Sequence, residues 1–349
     1  MYDPQQLAAS RKEVPQYLLF NPYVLAGYRR QGMSWWQCLK TVLYLHNETA
    51  NIWLHIAGSV YLLSVMFSIV RGEEPLVSES NSGAALCLLS FLLLMFIGSI
   101  LYHTFMPTCS SAPSYERLLK FDVTAAVIGM TGSAVSFVLW GYRCWPSWYP
   151  LALFTLFLIY ALHTVKVCLF SRNIKERAKA MGLFLLLRVS CGALCSYPRL
   201  SFLQNSAPFP SSSPPAAPWL SSFMGDNISG LIIGEGGGSE ELVSSPHIHL
   251  YSHERVPTMT ISPALWYHST AFLFVFVGGV INALRWPECW LPGRFDFTIH
   301  SHGFWHLFGL IASVLTCWGT LQDLADWDSA VCPAGGETAT TPLSFLGWW

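Results

Sequence analysis

Seven stretches of this chain, at about 51–70, 84–106, 121–142, 148–169, 179–197, 264–284 and 302–321, are each apolar for roughly the 20 residues that a helix needs to cross a bilayer. No other feature limits the fold as much. Of 349 residues 52% are hydrophobic and 11% charged, where soluble domains carry about 25% charged residues. One or two soluble cores cannot bury that much apolar surface, so the bilayer is the natural solvent. The expected fold class is all-α, a seven-transmembrane helix bundle. Its weakest member is the fifth run, which contains Arg188 and is closed by Pro198.

Loop charges orient the bundle. With the N-terminus in the cytosol, the inner segments hold Arg11, Lys12, Arg29, Arg30, Lys40, Arg117, Lys120, Lys166, Arg172, Lys175, Arg177, Lys179, Arg285 and Arg294. The outer segments hold Arg71, Arg143, Arg199 and Arg255. This inward excess of basic residues predicts a cytosolic N-terminus and a lumenal or extracellular C-terminus. The chain then divides into a cytosolic segment 1–45, a membrane domain 46–325 and a short outer tail 326–349.

Residues 199–262 are first Pro/Ser-rich and then Gly-rich, a composition that buries too little to order itself, so a disordered outer loop is expected. Asn227-Ile228-Ser229 is a glycosylation sequon on the lumenal side, while the Asn47 sequon lies at the cytosolic mouth of the first span and should stay bare. A net charge of −1 argues against a nucleic-acid partner. The ten cysteines form no CxxC pair, so neither a disulfide scaffold nor a thiolate zinc knuckle is suggested. A polar start after Met1 is unlike a cleaved signal peptide, which leaves targeting to the first span.

Parity then places the polar residues. Even-numbered spans end in the cytosol and odd-numbered spans begin there. Ser99 and His103 close the second span, Asp122 opens the third, His302 and His306 open the seventh, and Glu48, Asn51 and His55 open the first. All reach one depth just inside the cytoplasmic face. Ser99/His103, Asn51/His55 and His302/His306 are each four apart and share a helix face. Singly, each has an ordinary explanation: a headgroup-level histidine, a helix-start pair, or a first-turn acid complementing the helix dipole. Jointly they point to a metal site, because ionisable groups inside a span are costly and usually functional.

Three imidazoles without thiolates suit Zn²⁺, and three protein ligands plus water is the catalytic arrangement. Zinc lowers the pKa of its water to about 7. Asp122 would take a proton from that water or orient it, and Ser99 would donate to a developing oxyanion. Of the remaining histidines, His300 points to a different side from His302, and His55 reads as a hydrogen-bond partner within the bundle. His163 reads as a packing histidine, and His247, His249 and His253 fall in the outer loop. Arg188 needs a partner or must snorkel, and receives no role. Trp145, Trp148, Tyr149, Trp286 and Trp290 cluster at span ends as an interfacial belt.

The same residues carry a resemblance. Phe20-Asn21-Pro22-Tyr23, Gly27-Tyr28-Arg29, HNETANIWLH at 46–55, SILYH at 99–103 with Asp122 downstream, PGRFD at 292–296 and SHGFWH at 301–306 resemble the progestin and adipoQ receptor family over about 20–197 and 264–325. The resemblance implies seven helices with a cytosolic N-terminus and a zinc held by His103, His302 and His306. It also implies that Asp122 contacts the zinc-bound water, with Ser99 beside it. Some members of that family hydrolyse the amide of ceramide; others are described as adipokine or progestin receptors. Two departures stand out: Pro287-Glu288-Cys289 lacks the family's arginine, and the loop after the fifth span is unusually long.

The expected function is therefore a zinc-dependent amide hydrolase of ceramide-like lipids in the Golgi or plasma membrane, with protein partners conceivable on the cytosolic N-terminal segment. The alternative is a receptor or scaffold for a hormone or steroid-type ligand, with a structural zinc closed by a fourth ligand. A transporter is disfavoured, since no paired broken helices or inverted halves are evident.

Overall fold

The computed structural model describes residues 10–135, 137–138, 148–171, 173–205 and 263–329. The chain separates into two units, Met1–Leu200 with Ile261–Trp349, and Ser201–Thr260. The site lies wholly in the first. The loop expected to be disordered falls outside the described residues from 206 to 262, and Asn227 with it, as does the tail from 330.

Among the described residues the regular structure is helical, without a strand. A short α1 (Trp35–Thr41) precedes seven long helices: α2 (Thr49–Val70), α3 (Ser82–Phe105), α4 (Ala112–Gly132), α5 (Trp148–Phe170), α6 (Ile174–Asn205), α7 (Pro263–Leu284) and α8 (Ser301–Ser329). Among the described residues five stretches, Thr49–Val70, Glu79–Thr108, Trp148–Phe170, Pro263–Leu284 and Ser301–Asp326, are long and apolar enough to cross a membrane. The N-terminal parts of α4 and α6 are charged instead, with Glu116, Arg117 and Lys120 in the second and third turns of one and Lys175, Glu176, Arg177 and Lys179 in the first two turns of the other. Glu116 joins them, 3.5 Å from Lys120 and 3.1 Å from Arg177 of α6.

Helix ends differ from the hydropathy reading in α4, α6 and α8; α4 also stops at Gly132, short of the expected 142, and α6 starts at Ile174 and not at 179. α4 begins nine residues before the expected 121, because the Ser111–Ser114 capping box and Pro113 start it in polar sequence. Asp122 therefore lies deep in α4 and does not open it. α6 runs on through Pro198 to Asn205, since proline removes one ladder bond and bends a helix without always ending it. α8 extends to Ser329, its last turns tied by a 2.8 Å bond from Gln322 to Asp326 and a 3.0 Å contact between Asp323 and His268 of α7.

In sequence order α2, α3, α4 and α5 pack as neighbours, and α8 packs on α7, α2 and α3. Leu62, Val65, Leu89, Leu92, Phe96, Cys317 and Leu321 fill the core where α2, α3 and α8 meet. Val60, Leu63, Phe67, Leu156, Ile159, Leu162 and Phe276 stay exposed, as expected of a face whose solvent is lipid. At Gly98 the α3–α4 contact is so close that a Cβ would stand 2.6 Å from the Ala125 Cβ and 3.9 Å from the Asp122 Cα. Gly98→Ala should force these helices apart at a cost of about 1–3 kcal/mol. A thermal-shift assay should show it as a lowered melting temperature; an unchanged one would mean that the helices relax freely.

The segment before α1 is built into the bundle at the end of α3 and the start of α4. Val14, Leu18, Val24 and Tyr28 pack with Tyr102, Met106, Cys109 and Tyr115. The buried Arg29 donates to the carbonyls of His103 and Thr104 at the end of α3. Asp296 accepts from the backbone N–H groups of Leu25 (3.1 Å) and Ala26 (2.7 Å).

Candidate metal centre

Glu48, the N-cap residue of α2, is the hub of the polar cluster. Its Oε2 lies 2.8 Å from His103 Nδ1 and accepts from Asn51 Nδ2 at 2.6 Å, while Oε1 accepts from Asn47 Nδ2 at 3.2 Å. Burial pushes the carboxyl upward, but the hydrogen bond from His103 and the surrounding imidazoles outweigh it and hold the group well below the usual carboxylate range. A carboxylate on Nδ1 makes that nitrogen the donor and leaves Nε2 of His103 a bare lone pair. That Nε2 is buried and meets no hydrogen-bond partner among the described residues. Beside the hub, His46 Nδ1 accepts from the Glu48 N–H at 3.0 Å, and burial first, with Arg29 second, lowers the His46 pKa to about 2.

His302 and His306 sit in the first turns of α8, facing α3 and α2. Their Nε2 atoms are 3.1 Å apart, and His306 Nδ1 is 2.8 Å from His55 Nε2. Ring centroids of His302 and His306 lie 4.4 Å apart, of His103 and His306 4.9 Å, and of His103 and His302 5.5 Å. The histidines whose ligand atoms all lie within 4.8 Å of one another are His55, His103 and His306. The structure thus gathers four imidazoles, and His55 is more central than a generic bundle partner.

A cavity of about 410 Å³ opens from this cluster. His55, Ser99, His103, Asp122, His302 and His306 line its inner end, and Leu92, Met95, Phe96 and Ala126 line its walls. Ser99 Oγ is buried without a partner among the described residues. Every residue expected at the site is therefore brought to one place. Glu48 and Asn51 stand behind His103, and Asp122 reaches the cavity from within α4.

Several contributors escaped the sequence reading. Phe20, on the cavity wall, packs its ring 5.5 Å from His302. Asn47 holds Glu48, and Arg29 anchors the carbonyl of His103. Their signal was present in the Phe20-Asn21-Pro22 and Gly27-Tyr28-Arg29 motifs, which carried a likeness but no role. Glu288 was missed as well: it accepts from Asn21 Nδ2 and the Ser301 N–H, each at 2.8 Å, and from the Ser301 hydroxyl. Burial raises its carboxyl, while the bonds from Ser301 and Asn21 lower it further, leaving it below its ordinary value. Glu288 thereby fixes the start of α8, one residue before His302. His300 Nε2 meets the Asn47 carbonyl at 3.2 Å, and His247, His249 and His253 lie outside the described residues.

The donor set fits a zinc ion. Two ligands about 2.05 Å from a tetrahedral centre stand about 3.3 Å apart, close to the 3.1 Å between the His302 and His306 nitrogens. The unpartnered Nε2 of His103 is a further donor of the kind zinc takes, on a ring whose centroid is 4.9 Å from that of His306 and 5.5 Å from that of His302. Glu48 and His55 hold the opposite nitrogens of His103 and His306, as partners outside a coordination shell do.

The chain as a whole is similar to known proteins. Residues 43–221 and 241–317 match the haemolysin-III related family. The chain is 26% identical over 319 residues to progestin and adipoQ receptor family member 4 of Mus musculus, covering 91% of this chain and 94% of the relative. It is 26% identical over 322 residues to heptahelical transmembrane protein 3 of Arabidopsis thaliana, covering 89% and 85%. It is 23% identical over 309 residues to the adiponectin receptor protein of Drosophila melanogaster, covering 86% of this chain and 56% of that protein.

Proposed function

The chain belongs to the haemolysin-III related family, and from that premise we propose that it is a seven-helix membrane hydrolase, N-terminus inside, that uses zinc to cleave the amide of ceramide-like lipids. One observation carries the reading: an imidazole cluster with its outer nitrogens already held lies at the end of an apolar cavity that also presents a carboxylate and a hydroxyl. The seven long helices, the inward excess of basic residues and the printed name of the heptahelical relative support the topology.

His103, His302 and His306 would hold the ion. When bound, zinc supplies Lewis-acid polarisation of a carbonyl and makes hydroxide available near neutral pH. The chain's own residues do the rest. The walls at Leu92, Met95, Phe96 and Ala126 take up acyl chain and exclude water. The amide, at headgroup depth, meets the histidine end. The Asp122 carboxylate accepts the proton given up by the attacking water and returns it to the leaving nitrogen. Ser99 Oγ, buried beside the Asp122 carboxylate, donates to the carbonyl oxygen as charge builds on it.

Zinc-loaded protein in detergent, given a fluorescent ceramide, should release fatty acid and sphingosine. Asp122→Asn should slow release about 100-fold or more, the usual contribution of a general base, while keeping its zinc. Full zinc occupancy with no sphingosine release by wild type would refute the hydrolase.

A second reading, a receptor in which zinc is structural, rests on the fourth imidazole. If His55 joined the other three, the site would be closed, as structural zinc sites are. The printed names of two relatives contain the word receptor.

A further inference from the structure

The metal centre leaves Arg188 unexplained. It sits well inside α6 and lines the same cavity as the histidines. Its guanidinium donates to the Met130 carbonyl and, at 3.1 Å, to Ser133 Oγ, and lies 5.6 Å from the centre of the Phe272 ring. Among the described residues no carboxylate stands within 4.0 Å of it. Two neutral oxygens and a ring do not neutralise a cation. An arginine has five N–H donors to satisfy, and an unpaired charge within a span is costly enough that it normally marks a site.

The position of Arg188 along the cavity gives the site its meaning. Asp122 marks the histidine end on α4, and Ser133, eleven residues on, marks the Arg188 end. At 1.5 Å per residue the two ends are about 16 Å apart. His306 and Thr316 line the cavity with the same offset on α8, about 15 Å. Met95, Ala126, Met130, Gly309 and Ala312 line the stretch between. The cavity is therefore polar at both ends and apolar between them, and a plain hydrocarbon tail would leave one end unanswered.

We propose that Arg188 and Ser133 form a second polar pole that binds an oxygen function at the far end of a long-chain ligand whose head lies at the histidines. The ligand class is a long-chain acid or amide that also carries a carboxylate or hydroxyl near its other end. The inference rests on the reading of the cavity as a lipid site and narrows the substrate class.

The test uses the full chain in detergent with three probes of equal chain length: hexadecanoic acid, 16-hydroxyhexadecanoic acid and hexadecanedioic acid. Displacement of a bound fluorescent fatty acid gives each Kd. Wild type should prefer the two oxygenated probes by about tenfold or more, as a charge-assisted hydrogen bond would give. Arg188→Leu should abolish the preference, so that the three probes bind with similar Kd, and Arg188→Lys should retain part of it for the diacid. Should Arg188→Leu fail to fold, Ser133→Ala should still reduce the preference. Equal affinities on wild type, or a preference that survives Arg188→Leu, would overturn the second pole and leave the lipid cavity standing. If none of the three acids displaces the fluorophore from wild type, the lipid cavity and the second pole fall together.

Discussion

Purified from zinc-replete cells, the wild-type chain should carry about one zinc per polypeptide and His302→Ala almost none. His302 and His306 present a pair of ring nitrogens near ligand spacing, 3.1 Å apart, so removing His302 dismantles part of the centre. His55 and Glu48 should behave differently. Each touches the outer nitrogen of another histidine, 2.8 Å away in both cases, and loss of such a partner typically weakens a metal by 10–100-fold without abolishing binding. His55→Ala and Glu48→Gln should thus retain zinc at saturating concentration and lose it under mild chelation. Metal analysis by mass spectrometry decides the matter. A filled His302→Ala beside an empty His55→Ala would assign the ligands to His55, His103 and His306 instead, the group whose donor atoms lie within 4.8 Å.

Glu288→Ala should be the most destabilising single change outside the helices. The side chain is 1% exposed and satisfies Asn21, the Ser301 N–H and the Ser301 hydroxyl. Each buried polar group left without a partner costs about 1–3 kcal/mol, so a total of about 3 kcal/mol or more is expected. The start of α8 would loosen with it, and zinc affinity should fall alongside the melting temperature. The pH dependence has a definite sign. The folded pKa of Glu288 is lowered, so its stabilisation is fully present above the unfolded value near 4.3 and is lost as pH falls through the folded value. Wild type should lose melting temperature on acidification below about pH 4, and Glu288→Gln should lose less over that window. Parallel acid profiles for the two proteins would remove Glu288 as the source.

The sequence determined the membrane setting, the helical class and the approximate position of the long helices. Those follow from local quantities: bilayer thickness sets run length, and a 3.6-residue turn puts His302 with His306, and Ser99 with His103, on one face. Tertiary structure decided what local pattern cannot carry. Hydropathy put Asp122 at a helix start, but the Ser111 capping box began α4 earlier in polar sequence and moved Asp122 deep into the helix. The weight of His55 was invisible because its partner lies 251 residues away. Phe20 and Asn21 looked like a free cytosolic segment until packing set them against His302 and Glu288. The histidine cluster shows both halves of this: its residues were legible from helical phase and motif. Which nitrogen faces which neighbour was settled only when α2, α3 and α8 closed on one another.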